Sequence, residues 1–191
     1  MSAGDNADLR SRARALGVVL LPYDPEWPAR FEEAKAAILA ACGGVVTAIE
    51  HVGSTSVPGL GAKPYLDLMP GLRAFEDAAA MLEPMAGLGY EYRGEYGLPG
   101  RHYFTRWVEG DTHVWKHNVH TYAVGHIEWV RHLVFRDALR GDAELRQEYW
   151  DLKVALSNQF PADVDSYSRA KSDFVERVLA AHGAPARPPE A

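Results

Sequence analysis

Cysteine is nearly missing from this chain. Cys42 is the one thiol among 191 residues, which excludes an intramolecular disulfide framework. Its neighbours in sequence include nothing that would activate it, so it offers no obvious nucleophile. Positive charge is also short: 20 Lys and Arg stand against 26 Asp and Glu, a formal net charge of −6. That excludes a bulk nucleic-acid coat, which needs a basic surface, but not a local positive pocket for a small phosphorylated ligand. No apolar run approaches the ~18 residues of a membrane-spanning helix, so no membrane span is expected. No signal peptide is read in MSAGDNADLRSRARA, and the cytoplasm is the expected location. There is no internal repeat. What is present, 47% hydrophobic and 24% charged residues, is the balance of a folded domain with a full core.

Residues 1–17 read as a flexible or short helical segment, 18–183 as one domain, and 184–191 as a disordered tail, because HGAPARPPEA cannot continue a helix. Asp24 and Pro25 read as the start of a helix over 26–41, with Phe31, Ala34, Ile38 and Ala41 on one face. VVTAIEHVG and PYLDLM read as strands, and FEDAAAMLEPMAGL as a helix. GYEYRGEYG, RHYFTRWVEG and THVWKHNVHTY follow as strands. Three helical segments then begin at Gly125: HIEWVRHLVFRDALR, AELRQEYWDLKVALSNQF and DSYSRAKSDFVERVLAAH. Mixed elements followed by helices indicate an α+β or α/β chain.

The stretch from His51 to Leu68, HVGSTSVPGLGAKPYLDL, asks for chemistry. Gly53 permits a sharp turn and close approach of a ligand. Ser54, Thr55 and Ser56 supply hydroxyls and successive N–H groups, and Lys63 adds charge. Strand alternation sends Leu66 and Leu68 one way and Tyr65, Asp67 and Met69 the other. A carboxylate beside a phosphate loop suits a divalent metal, which offsets triphosphate charge. The plainer alternative also stands: a strand–helix turn with Asp67 pairing locally.

GSTSVPGL followed by KPYLDL, with IEH before it, resembles the signature of the GrpB family, UPF0157-type, in the nucleotidyltransferase superfamily. HNVHTY with EWVRHLVFRDALR, and YWDLK with SYSRAK, agree with it. The resemblance runs from about Tyr23 to His182. It implies an α+β fold, a nucleotidyltransferase-like mixed β-sheet flanked by helices with a helical C-terminal part and a cleft at the Gly-Ser loop. It implies a small-molecule substrate, a nucleotide or phosphorylated metabolite, with Mg²⁺ or Mn²⁺ and transfer of a nucleotidyl group to a small molecule. Gly53, Ser54, Thr55, Ser56, Lys63 and Arg136 are then the phosphate-binding candidates. Asp67 and His120 are the catalytic and metal-binding candidates. Relatives fused to dephospho-CoA kinase link the family loosely to coenzyme metabolism.

The chain departs from the superfamily pattern at Met69, where a second acid is expected, and shows no obvious third acid. Two metals normally need more than one carboxylate. The strand expected to carry the third acid offers Lys116, Asn118, His120 and Tyr122 on one face instead. Asp67, Asn118 and His120 could hold one metal or position a substrate. Either Glu50 or His51 faces the cleft; alternation counted from Gly53 favours His51. Arg136 and Arg140, four apart on a helix, form a candidate anion clamp, and Arg101 is a further cleft candidate. Lys153 and Lys171 either reach the cleft or buttress helix packing, and Tyr167 reads as packing. Two alternatives to transfer remain: a binding module that does not transfer, and acid–base chemistry by His51, Asp67 and His120.

Overall fold

The computed structural model describes residues 3–110 and 113–188. Helix α1 (Ala3–Ala15) precedes α2 (Trp27–Cys42) and strand β1 (Val46–Val52). A 3-10 turn at Ser54–Ser56 leads to β2 (Tyr65–Leu72). A 3-10 segment, Phe75–Met81, and the short α3 (Leu82–Gly87) follow. Next come β3 (Glu91–Tyr92), β4 (His102–Glu109) and β5 (Val114–Ala123), then α4 (Ile127–Gly141), α5 (Ala143–Gln159), α6 (Val164–Arg169) and α7 (Ser172–Ala181). The fold is α+β with a helical C-terminal part, as the sequence predicts.

The strands form one mixed sheet in the order β1-β2-β5-β4-β3. Among the described residues only β2 and β5 run parallel, and their register sets Asp67 opposite Asn118. One face of the sheet carries Leu66, Leu68, Phe104 and Val119 against Phe31 and Ile38 of α2 and Met81 and Met85. The α2 stripe is Trp27, Phe31, Ala34, Ile38 and Cys42, a helical spacing; Cys42 rather than Ala41 is its inward residue. Cys42 is buried, and burial pushes its thiol above the ordinary value.

The opposite face is covered at its two ends and open between them. At one end α4 lays Trp129 on Val52, Met69 and Tyr122. At the other end α1 sets Leu9 against Trp107 and Val114. Asn6 fixes α1 there: its amide donates to the Gly89 carbonyl at 3.0 Å, and its oxygen accepts from the Trp107 N–H at 2.9 Å. The middle of this face is the cleft.

Four local expectations change. Asp24 accepts from the Glu26 N–H just ahead of α2, and the helix carries Pro28 in its first turn instead of Pro25. The helix expected from Phe75 starts as a 3-10 segment, with Pro84 inside α3. The last expected helix breaks between α6 and α7, at Ala170–Lys171. The described part of the expected tail is docked: Arg187 holds Glu128 with two hydrogen bonds, and Arg131 donates to the Pro185 carbonyl. Residues 1–2 and 189–191 lie outside the described residues.

Candidate functional site

Gly53 ends β1 with φ +69° and ψ −175°, a conformation essentially reserved for glycine. A Cβ there would lie 2.2 Å from the Asp67 Oδ2 atom. The turn and the carboxylate are therefore built against each other, and glycine is a geometric requirement.

Asp67 sits at the centre of a hydrogen-bond chain. Asn118 Nδ2 donates to Asp67 Oδ1 at 2.7 Å, the Tyr103 hydroxyl donates to Asn118 Oδ1 at 2.7 Å, and Lys116 donates to that hydroxyl at 3.3 Å. His120 Nε2 lies 3.4 Å from Asp67 Oδ1, and Arg101 reaches His120 Nδ1 at 3.3 Å. Arginine only donates, so Nδ1 accepts and Nε2 carries the hydrogen aimed at Asp67. Burial pushes Asp67 upward, but the hydrogen bonds from His120 and Asn118 and the nearby Lys116 ammonium outweigh it. The carboxyl is held below its usual range. Arg101 also donates to the Glu95 and Tyr96 carbonyls, tying His120 to the loop before β4.

Lysines surround this centre. Lys153 on α5, only 2% exposed, donates to Ser54 Oγ at 3.3 Å and to the Gly61 carbonyl. Lys63 lies over the rings of Tyr65 and Tyr167 at 4.4 and 5.0 Å, and Lys171 over Tyr167 at 4.2 Å. Among the described residues neither Lys63 nor Lys171 has a hydrogen-bond or ion-pair partner. Burial, then repulsion by Lys171, brings Lys63 and Lys153 down to about 7. Burial is also the leading cause for Lys116 and Lys171, which fall to about 8. Unpartnered cations in a partly buried cleft leave strong anion-binding capacity unused.

The remaining sequence candidates brace the turn from elsewhere. His51 pairs with Leu68, while Glu50 pairs with Met69 and Val52 with Asp67. His51 therefore faces away from Asp67, stacked on Phe31 at 4.5 Å and 3.0 Å from Thr55 Oγ1. The alternation counted from Gly53 fails because Gly53 leaves the extended conformation. Thr55 and Ser56 are buried, and the Ser56 hydroxyl donates to the Gly53 carbonyl at 2.6 Å. Arg136 is spent on Glu50, Asp137 and the His51 carbonyl. Arg140 donates two hydrogen bonds to the Ser56 carbonyl. These side chains hold the Gly-Ser turn in place; their charges and hydroxyls are engaged there. Glu50 meets Arg136 because β1 turns it to the side that α4 covers.

The implied divalent metal finds a poor donor set. Among the described residues no three His, Cys, Asp or Glu side chains cluster to hold one. Asp67 Oδ1 already accepts from Asn118, and Met69, at the second acid's position, is 0% exposed. A resident metal pair does not fit these residues.

The GrpB protein family model matches residues 17–181. The chain is 35% identical over 159 residues to UPF0157 protein YqkA of Bacillus subtilis, covering 83% of this chain and 45% of that protein. It thus spans about half of that relative's length. It is 37% identical over 173 residues to UPF0157 protein SCO7215 of Streptomyces coelicolor, covering 91% and 88%. The crystal structure of conserved protein GrpB from Enterococcus faecalis superposes with a TM-score of 0.77 at 33% identity, covering 86% of this chain and 96% of that one.

Proposed function

The chain belongs to the GrpB family, and from that premise we propose that the Asp67 cleft binds a nucleoside triphosphate or a similar phosphorylated small molecule, with lysines supplying the neutralising charge. The observation that carries this reading is the pair Lys63 and Lys171, half-buried beside Asp67 with no anion of their own. Ammonium groups at fixed positions stabilise phosphate charge without reorganisation.

The reaction we assign is nucleotidyl transfer to the hydroxyl of a small acceptor. The acceptor oxygen attacks the α-phosphorus, the bond to the bridging oxygen breaks, and pyrophosphate leaves onto the lysines. Asp67 takes the acceptor's proton, with Asn118 and His120 fixing its orientation. Buried Met69 favours a second reading, in which the cleft binds the ligand and transfers nothing.

A thermal-shift screen of ATP, GTP, CTP and UTP, each with and without Mg²⁺ or Mn²⁺, tests the binding. A ligand at a hundred times its Kd adds about 2.7 kcal/mol, so occupancy will be plain. A shift that persists without metal supports the lysines; no shift with any nucleotide overturns the nucleotide and its transfer as the reading of this cleft. Radiolabel from an α-phosphate appearing in a new product separates transfer from binding alone.

The lysines also set a pH signature. Their folded values, about 7 and about 8, lie below the ordinary 10.5. Between these limits the unfolded chain binds more protons, so the stability of the free protein rises with pH across that window. A bound phosphate reverses the shift. Binding is therefore expected to take up protons and to weaken as pH climbs from about 7 to about 9. Calorimetry in two buffers of different ionisation enthalpy measures the uptake.

A further inference from the structure

Beside Asp67, toward the starts of β2 and β5, lies a cavity of about 390 Å³ that none of the roles above uses. Its volume falls in the range of small-molecule sites, roughly 300–1,000 Å³. The sheet contributes Tyr65, Tyr103, Trp107 and Lys116, so the cavity opens onto the same hydrogen-bond chain that ends at Asp67. Its far wall is α1, which contributes Arg10 and Arg14.

Those two arginines stand one turn apart, a spacing that puts them on one helix face. Among the described residues neither guanidinium has a hydrogen bond or ion pair. Arg12, the arginine between them, is paired with Glu109 by two hydrogen bonds outside the cavity. Asp163 and Asp165 also border the space, but Asp163 is occupied in capping α6 through the Ser166 N–H. Helix α1 is anchored by Asn6 and Leu9, so the arginines are held in position. It lies ahead of residue 17, where the family match begins. The charge it brings to the cleft is therefore additional to the matched family region.

We propose that this cavity is a second-ligand subsite, which takes a small molecule with a planar or ring-sized body on the Tyr103–Trp107 side and an anionic group, phosphate or carboxylate, on Arg10 and Arg14. A planar guanidinium pair suits either anion, because both present two oxygens to parallel N–H donors. Aromatic walls accept a flat body without demanding one hydrogen-bond pattern. Calling the occupant the acceptor of the Asp67 reaction rests on the proposed function; the subsite itself does not.

The test is an NMR titration of the ¹⁵N-labelled full chain, read at the Trp107 indole N–H and assigned with Trp107→Phe. The probes are phenyl phosphate, benzoate and uncharged benzyl alcohol. One or both anions are expected to move the Trp107 signal saturably, with benzyl alcohol far weaker. Arg10→Gln/Arg14→Gln should weaken anion binding roughly tenfold or more, as loss of charged hydrogen bonds does. Arg10→Lys/Arg14→Lys, which keeps both charges but not the planar fork, should recover only part of it. A response to phenyl phosphate alone identifies a phosphate ligand, and to benzoate alone a carboxylic acid. No saturable movement with either anion, equal response to benzyl alcohol, or unchanged affinity in the glutamine variant overturns the subsite. The probes contain no nucleotide, so a failed nucleotide screen and a failed titration are separate results.

Discussion

Gly53→Ala is expected to lose about 1–3 kcal/mol of stability, the cost of a side chain in a glycine-only backbone region, and to abolish ligand binding in the cleft. Two effects add. The backbone at φ +69° is strained for any residue with a Cβ. The new methyl would also lie 2.2 Å from Asp67 Oδ2, and Asp67 cannot retreat without leaving Asn118. Either the carboxylate moves and loses Asn118, or the turn moves and draws Ser54 from Lys153. Urea unfolding gives the first effect and the nucleotide thermal shift the second. A variant of wild-type stability that still binds would show that the turn and the carboxylate are not interdependent.

Asp67→Asn is expected to slow nucleotidyl transfer by roughly 100- to 10,000-fold, the usual contribution of a positioned general base, while ligand binding persists or tightens. Asparagine keeps an oxygen that accepts from Asn118 and His120, so the geometry stays. The negative charge goes, and with it the repulsion between Asp67 and incoming phosphates. If a metal bridged Asp67 to the phosphates, the same change would remove binding as well. Parallel titrations of wild type and variant with one nucleotide decide the matter, and loss of binding in the variant would overturn the lysine-based reading.

The centre of the candidate site was legible from strand alternation taken together with the family resemblance. Asn118 and His120 lie two apart on β5, and parallel register with β2 brings Asp67 beside them. The strands and the helical C-terminal part followed from periodicity, and the mixed sheet flanked by helices from the family resemblance. What was not legible depends on distant parts of the chain. Lys153 comes from α5 and Lys171 from the break between α6 and α7, and whether they faced the cleft or the helix packing could not be read from their local sequence. His51 was misplaced because a period of two was carried through Gly53, where the backbone is not a strand. Arg136 looked like a phosphate clamp until β1 turned Glu50 toward α4. The arginines of α1 gave no sequence signal, since a short charged N-terminal segment reads the same whether docked or loose.

The anchoring of α1 has a practical consequence. A boundary drawn at residue 17, where the family match starts, would remove a piece of this protein's core. The Gly89 carbonyl and the Trp107 N–H would lose Asn6, and the apolar faces of Trp107 and Val114 would meet water. The shortened protein should be more prone to aggregate at the open end of the sheet, and any recombinant tag is better placed at the other terminus.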